Sequence, residues 1–363
     1  MHYCYSPFRS LLVSLSVFWL ALTACASATP REVAGEEHHQ EHAADGEHGM
    51  ALPHLEPVAL GEGEKLRVVA STNIVGDVVS QVGGDALDLT VLMELGQDPH
   101  SFEPTPVDLA AIESAHVVFV NGLDLEEELL NVIEAQEGET PLVPVSAGIE
   151  PRAFEHEDEH EHEGESHEEE LEEEEEHGEH REHAHESGDP HTWMDPHNVQ
   201  IWVSNVAEVL SELDPAKTDT YQANAATYVE QLEELDAYIR QQVSRIPEGE
   251  RKLVTNHESF GYFADRYGFE VVGTVFVGAS ELAEPAAGDM AALVDTIEAE
   301  GARAIFVETT VSDELAGVIA AEVGYDVGVF TLYTGSLGEP GSGADSYLGM
   351  MQSNADAIVA GLE

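Results

Sequence analysis

The chain has 363 residues, in which 13 Lys and Arg face 73 Asp and Glu, for a formal charge of −60. So negative a chain excludes nucleic acid and anionic membrane surfaces as partners and makes cations its natural company. The length suffices for two domains that each bury a core.

Arg9 precedes the apolar run LLVSLSVFWLAL, Leu11 to Leu22, which is too short to span a bilayer as a stable helix and reads as the core of a signal peptide over residues 1–24. The tetrad Leu22-Thr23-Ala24-Cys25 resembles a bacterial lipobox, so Cys25 is expected to carry lipid and anchor the mature chain to a membrane. Cys4 falls in the removed segment, leaving Cys25 alone, and neither a disulfide nor a thiolate site is expected in the mature chain. Residues 25–64 are rich in Glu, His, Gly and Ala and read as a flexible acidic tether, with His38, His39, His42, His48 and His54 along it.

From residue 65 short β-branched runs alternate with helical patterns. LRVVAST reads as a buried strand, IVGDVVSQVGG as a helix, DLTVLM as a strand, and PVDLAAIESA as a helix with Pro106 in its first turn. HVVFVNG, LEEELLNVIEA and PLVPVS continue as strand, helix, strand. Such alternation implies a parallel sheet covered by helices, here a first lobe over residues 65–213. Within it, residues 155–188 are a Glu- and His-rich loop with no apolar pattern, carrying His156, His160, His162, His167, His177, His180, His183 and His185. The backbone of such a run is a solvated, self-repelling loop, whereas its imidazoles suit loose, rapidly exchanging capture of divalent cations.

A helix follows from about Val199 to Leu213, and then a longer pattern over residues 214–246, with Asp214 as expected cap and Pro215 in the first turn. Tyr221, Ala225, Tyr228, Leu232, Leu235, Ile239 and Ile246 form one stripe on it. Some thirty residues of helix reach roughly 45 Å, enough to join two lobes. Alternation resumes over residues 247–363: KLVTNH, EVVGTVFV, AIFVET and DVGVFTL as strands, separated by helices, with SYLGMMQSNADAIVAGL as the closing helix. The expected architecture is therefore α/β, two parallel-sheet lobes joined by one long rigid helix, with a ligand site in the cleft at the strands' carboxyl ends.

Outside the signal peptide and the low-complexity segments, the histidines are His100, His116, His191, His197 and His257. His100, His191 and His257 stand in loops or at a strand end. The first two share the tripeptide Asp-Pro-His, at Asp98-Pro99-His100 and Asp189-Pro190-His191. Proline stiffens the backbone and the aspartate can bond nearby main chain, so each ring is presented with little freedom left to lose. Three such imidazoles from distant segments suit a shared tetrahedral metal site, and equally they suit separate hydrogen-bonding roles. His116 reads as a structural histidine at the start of a strand, and His197 as a capping or surface residue. Trp193, Phe260, Tyr262 and Phe263 read as packing around the cleft. His257-Glu258 lacks the second histidine of a helical zinc-protease motif, since position 261 is glycine, and no nucleophile elbow, P-loop or dinucleotide turn occurs, so an enzyme is not expected.

The segments GQDPHSFEPTPVDL, DPHTWMDPHN, TNHESFGYFADRYGFE, FVETTVS and ADSYLGMMQSNADAI, in that order, resemble the solute-binding lipoproteins of bacterial zinc and manganese ABC importers, over a span from about Leu66 to the C-terminus. The resemblance implies two Rossmann-like lobes on a rigid linking helix and makes His100, His191 and His257 the metal ligands. It implies an extracytoplasmic, lipid-anchored monomer that captures Zn²⁺ and hands it to an importer's membrane permease. Manganese-type members carry glutamate at the place of His257, and three nitrogens suit Zn²⁺ better than the harder Mn²⁺. A manganese-binding member, or an extracellular zinc-buffering or adhesin lipoprotein, is the alternative. The sequence departs from the family where many relatives have Asp or Glu: TLYTGSL places Gly335 there, leaving the fourth ligand to water, to another carboxylate or to a histidine of the acidic run. Zinc-type relatives often carry a histidine-rich insertion at that place, which makes the run an expected accessory collector.

Overall fold

A computed structural model describes residues 52–135, 138–153, 188–276, 287–309 and 314–363. The expected signal peptide, the lipidation site Cys25, the tether histidines His38, His39, His42 and His48, and every histidine of the run from His156 to His185 lie outside the described residues.

Each predicted strand and helix of the first lobe forms: β1 (Leu66–Ala70), α1 (Asn73–Gly83), β2 (Leu87–Val91), α2 (Pro106–Ser114), β3 (Val117–Val120), α3 (Glu127–Ala135) and β4 (Leu142–Pro144). They build a parallel sheet in the order β2-β1-β3-β4. After α4 (Pro196–Leu213) and α5 (Thr218–Val243), the second half repeats the plan with β5 (Lys252–Thr255), α6 (Gly261–Tyr267), β6 (Glu270–Thr274), α7 (Ala287–Glu300), β7 (Ala304–Glu308), α8 (Glu314–Glu322), β8 (Gly328–Leu332) and α9 (Tyr347–Leu362). Its sheet, also parallel, runs β6-β5-β7-β8, the same permutation, although the two halves show no obvious sequence repetition. Of the inner strands, β3 and β7 are buried along their whole length, as strands covered on both faces can be, which is why β3 reads as an unbroken apolar run and β7 as one up to Glu308.

Local chemistry sets the helix ends. Thr72 caps α1 by accepting from the Val75 amide, and Thr105 with Asp108 forms a reciprocal capping box on α2, whose Pro106 loses no hydrogen bond there. Gly268 closes α6 in the left-handed region at φ 72°, where a side chain would be strained. Two helix starts differ from the sequence reading by more than a residue or two, and the long helix ends at Val243 rather than at residue 246. The helix α4 begins at Pro196 rather than Val199, because the Asp195 carboxylate caps it through the His197 amide at 2.8 Å. The long helix begins at Thr218 after a 3₁₀ turn at Pro215–Lys217, and Asp214 does not cap it: its carboxylate accepts instead from the Tyr221 hydroxyl at 3.3 Å. At 26 residues α5 is about 39 Å long at 1.5 Å per residue.

The apolar stripe of α5 is buried throughout, from Tyr221 to Val243, with Ile246 just beyond it. It belongs to one hydrophobic cluster that includes Leu66 and Trp202 of the first half and Leu253, Phe306, Tyr347 and Leu362 of the second. The two lobes thus share a core. Polar latches reinforce it: the Trp193 indole donates to the Thr334 carbonyl at 2.9 Å, and the Tyr347 hydroxyl donates to the Trp193 carbonyl at 2.6 Å. Asn73 exchanges hydrogen bonds with Ser336 and the Leu337 amide, and Asp77 of α1 accepts from the Tyr347 amide at the start of α9. The expected cleft is accordingly a closed seam between packed halves.

Candidate metal centre

The three loop histidines of the sequence analysis meet in this seam. His100 follows β2, His191 leads through a 3₁₀ turn into α4, and His257 lies two residues past β5, so their elements deliver them from the carboxyl ends of both sheets. His191 Nε2 lies 3.1 Å from His100 Nε2 and 3.1 Å from His257 Nε2, and the three ligand atoms are all within 4.8 Å of one another. Neighbouring nitrogens on a tetrahedral zinc with bonds of ~2.0–2.1 Å are about 3.3 Å apart, so two of the three edges already have that spacing. His191 and His257 are buried and His100 is half-buried. Together with Asp98, Pro99, Trp193, Glu308 and Gly335 they line a cavity of ≈ 10 Å³, room for an ion or a water and too small for any organic ligand.

Carboxylates set the rings. Asp189 Oδ1 accepts from both the His191 amide, at 2.9 Å, and His191 Nδ1, at 2.7 Å. His257 Nδ1 is bonded to Glu308 Oε1, while Glu308 Oε2 accepts from the Thr334 hydroxyl. A carboxylate on Nδ1 keeps the proton there and turns the lone pair of Nε2 into the cavity. Two lone pairs facing each other at 3.1 Å repel unless a cation stands between them. Burial would raise the Glu308 carboxyl, but in the acid range, where metal-free His257 and His191 take up a second proton, the charge and hydrogen bond of His257, with the Thr334 hydroxyl and the charge of His191, hold it below its ordinary range.

The twin tripeptides differ in use. Asp98 bonds the His100 amide at 3.0 Å and the Ser101 hydroxyl at 2.7 Å, fixing the loop backbone, whereas Asp189 also grips its histidine's ring. Gly335, where the family often has an acid, forms part of the cavity wall; a Cβ there would lie 2.9 Å from Pro99 Cδ, so the loop bearing His100 occupies the space a side chain would need. Glu308, which sequence reasoning did not single out although it lies in the quoted FVETTVS, is the carboxylate at this wall, with its oxygens engaged by His257 and Thr334. Its position at the end of a wholly buried strand was the available signal, since a carboxylate there needs a partner.

The remaining histidines stand apart. His116 Nδ1 accepts from the Arg67 amide at 3.0 Å, a structural role in which burial and the Arg67 charge lower its pKa. His197 is exposed in the first turn of α4, and His54 pairs with Glu212 at 2.9 Å. The stretch around His54, expected as flexible tether, is instead docked on the fold, since the Val58 amide donates to the Leu213 carbonyl at 2.9 Å and Leu52, Leu55, Val58 and Leu60 pack against the shared core. Trp193, Phe260 and Phe263 are buried packing, with the Trp193 ring 5.3 Å from that of His191. Among the described residues no helix is long and apolar enough to cross a membrane.

Residues 68–361 match the family described as zinc-uptake complex component A, periplasmic, ZnuA. The chain is 33% identical over 301 residues to the manganese-binding lipoprotein MntA of Halalkalibacterium halodurans, a match covering 83% of this chain and 90% of that protein. Among solved structures it is similar to the periplasmic zinc binding protein TroA from Treponema pallidum, with a TM-score of 0.70 and 29% identity over 82% of this chain and 99% of that one. It is similar also to the Mn-bound periplasmic metal binding protein from Candidatus Liberibacter asiaticus, with a TM-score of 0.67 and 26% identity over 83% and 100%.

Proposed function

Because the chain belongs to the ZnuA family, and so is the metal-binding component of an ABC importer rather than an enzyme, we propose that it captures Zn²⁺ through Nε2 of His100, His191 and His257. The observation that carries the reading is the pair of 3.1 Å Nε2 separations centred on His191, with the opposite nitrogens of His191 and His257 held by carboxylates. Imidazole nitrogen is a donor Zn²⁺ accepts readily, and among the described residues the cluster contains no carboxylate oxygen of the kind Mn²⁺ favours. The fourth position is left to water or to a ligand exchanged during transfer to the permease. Lipid on Cys25 would hold this monomer at the membrane, and the histidines of the acidic run would collect zinc loosely around it.

The test is a zinc titration of the mature chain followed by melting. Zinc at 100 times its Kd should stabilise the fold by about 2.7 kcal/mol. Equal melting with and without zinc at neutral pH would overturn the proposal. Removing residues 155–187 should lower the number of weakly bound ions and leave the tight site intact; loss of all tight binding on that deletion would favour the buffering or adhesin reading. Manganese is the second reading, motivated by the name of the MntA relative. It prevails if Mn²⁺ at equal concentration displaces Zn²⁺.

A further inference from the structure

We propose that Tyr262, in the first turn of α6, is a positioning residue for His191, acting through Asp189 across the boundary between the lobes. The inference rests on the reading of His191 as a metal ligand. The Tyr262 hydroxyl donates to the Asp189 carbonyl at 2.8 Å and accepts from the Arg152 amide at 3.0 Å. The Asp189 amide in turn donates to the Arg152 carbonyl at 2.7 Å. One hydroxyl of the second lobe thus clips together the two chain segments that flank residues 154–187 of the first, two residues from His191.

Two further observations show that α6 is fitted to this neck. The Arg152 guanidinium reaches Asp265 on the same helix at 3.0 Å. A Cβ on Gly261 would stand 2.6 Å from Arg152 Nη1 and 2.9 Å from Asp189 Oδ2, so the approach is close enough that only glycine fits without displacing one of them. Burial pushes the Tyr262 pKa up to about 12, so the hydroxyl keeps its proton and donates under all working conditions.

The consequence concerns His191. Its orienting carboxylate belongs to a residue that is itself fully buried and whose backbone is fixed from the other lobe. The Asp189–His191 pair therefore looks local in sequence but is completed by the second lobe. A change that parts α6 from the neck loosens the ring of His191 without touching either Asp189 or the metal, which links the docking of the lobes to the grip on the ion.

The experiment compares Tyr262→Phe with Tyr267→Phe in the full chain, using Zn²⁺ affinity by chelator competition and the visible d–d bands of Co²⁺ bound at the same site. Tyr267 is a fair control: it lies on the same helix and its hydroxyl donates to Asp236 at 3.1 Å. Tyr262→Phe should weaken Zn²⁺ about tenfold, the lower end for losing an outer partner of a ligand, and alter the Co²⁺ spectrum. Tyr267→Phe should lower Tm and leave both metal readouts unchanged. Parental affinity and spectrum in Tyr262→Phe would overturn the proposal. Should that variant fold poorly, Gly261→Ala, which crowds the same neck and keeps the Tyr262 hydroxyl, is expected to alter the Co²⁺ bands, and unaltered bands would count equally against it. Tight Zn²⁺ binding that survives His191→Ala would defeat the underlying three-histidine reading, and this proposal with it; loss in His191→Ala beside parental behaviour in Tyr262→Phe defeats the positioning role alone.

Discussion

His191 and His257 meet at 3.1 Å and are oriented by the same device, a buried carboxylate on Nδ1, yet the two lobes build it differently. In the first lobe the carboxylate is two residues away, in the rigid turn Asp189-Pro190-His191. In the second it comes from Glu308 at the end of β7, 51 residues distant, and its place depends on β5 and β7 pairing in the sheet. The difference teaches that similar chemistry can be specified by a short-range motif on one side of a seam and by strand register on the other. A third histidine, His100, repeats the short motif but uses its aspartate on the backbone.

The comparison can be broken most directly by removing a ligand. His191→Ala or His257→Ala should each weaken Zn²⁺ by more than about 100-fold, beyond the 10–100-fold typical of outer partners, as read by chelator competition. A loss confined to one of the two would mean that the lobes do not share the ion. Next, Glu308→Ala and Asp189→Asn should each fall within that 10–100-fold band if the two devices are equivalent. A costly Glu308→Ala beside a neutral Asp189→Asn would make the short-range partner dispensable.

A smaller effect is expected in the acid limb of stability. The Glu308 carboxyl is held below its ordinary value of 4.5 in the folded protein, so the unfolded chain binds its proton first. Its contribution is present in full above that value and drains away as pH falls through it toward the depressed folded value. Glu308→Gln in the metal-free protein should flatten this limb of a stability–pH curve, and an unchanged slope would show that the Glu308–His257 pair does not stabilise the fold. The smallest effect on Zn²⁺ affinity is expected for Asp98→Ala, which frees backbone but no ring and should cost about 1 kcal/mol of stability, as a lost cap bond does; a loss of affinity by chelator competition as large as that of Asp189→Asn would erase the distinction drawn between the twin tripeptides.

Much of the fold was legible because local patterns and tertiary demands agree. Unbroken apolar runs marked strands covered on both faces, and the stripe from Tyr221 to Ile239 marked the helix that both halves pack against. Pro106 marked the first turn of α2, whereas the one capping residue expected from sequence, Asp214, failed: its carboxylate found the Tyr221 hydroxyl instead of the helix amides. The three central histidines were visible for a comparable reason: proline and aspartate beside two of them, and a strand end beside the third, are local features.

What the sequence by itself determined, then, was the α/β alternation, the acidic charge that selects cationic company, and three loop imidazoles that only the family resemblance joined into one site. Only the tertiary structure decided how they are held. Glu308 reaches His257 because strands remote in sequence are neighbours in the sheet, Gly335 clears space that Pro99 occupies, and Tyr262 reaches Asp189 because the halves share one core. The physical reason is that turn and helix chemistry acts over a few residues, whereas the partner of a buried polar group is whichever residue the packing of distant elements brings within about 3 Å.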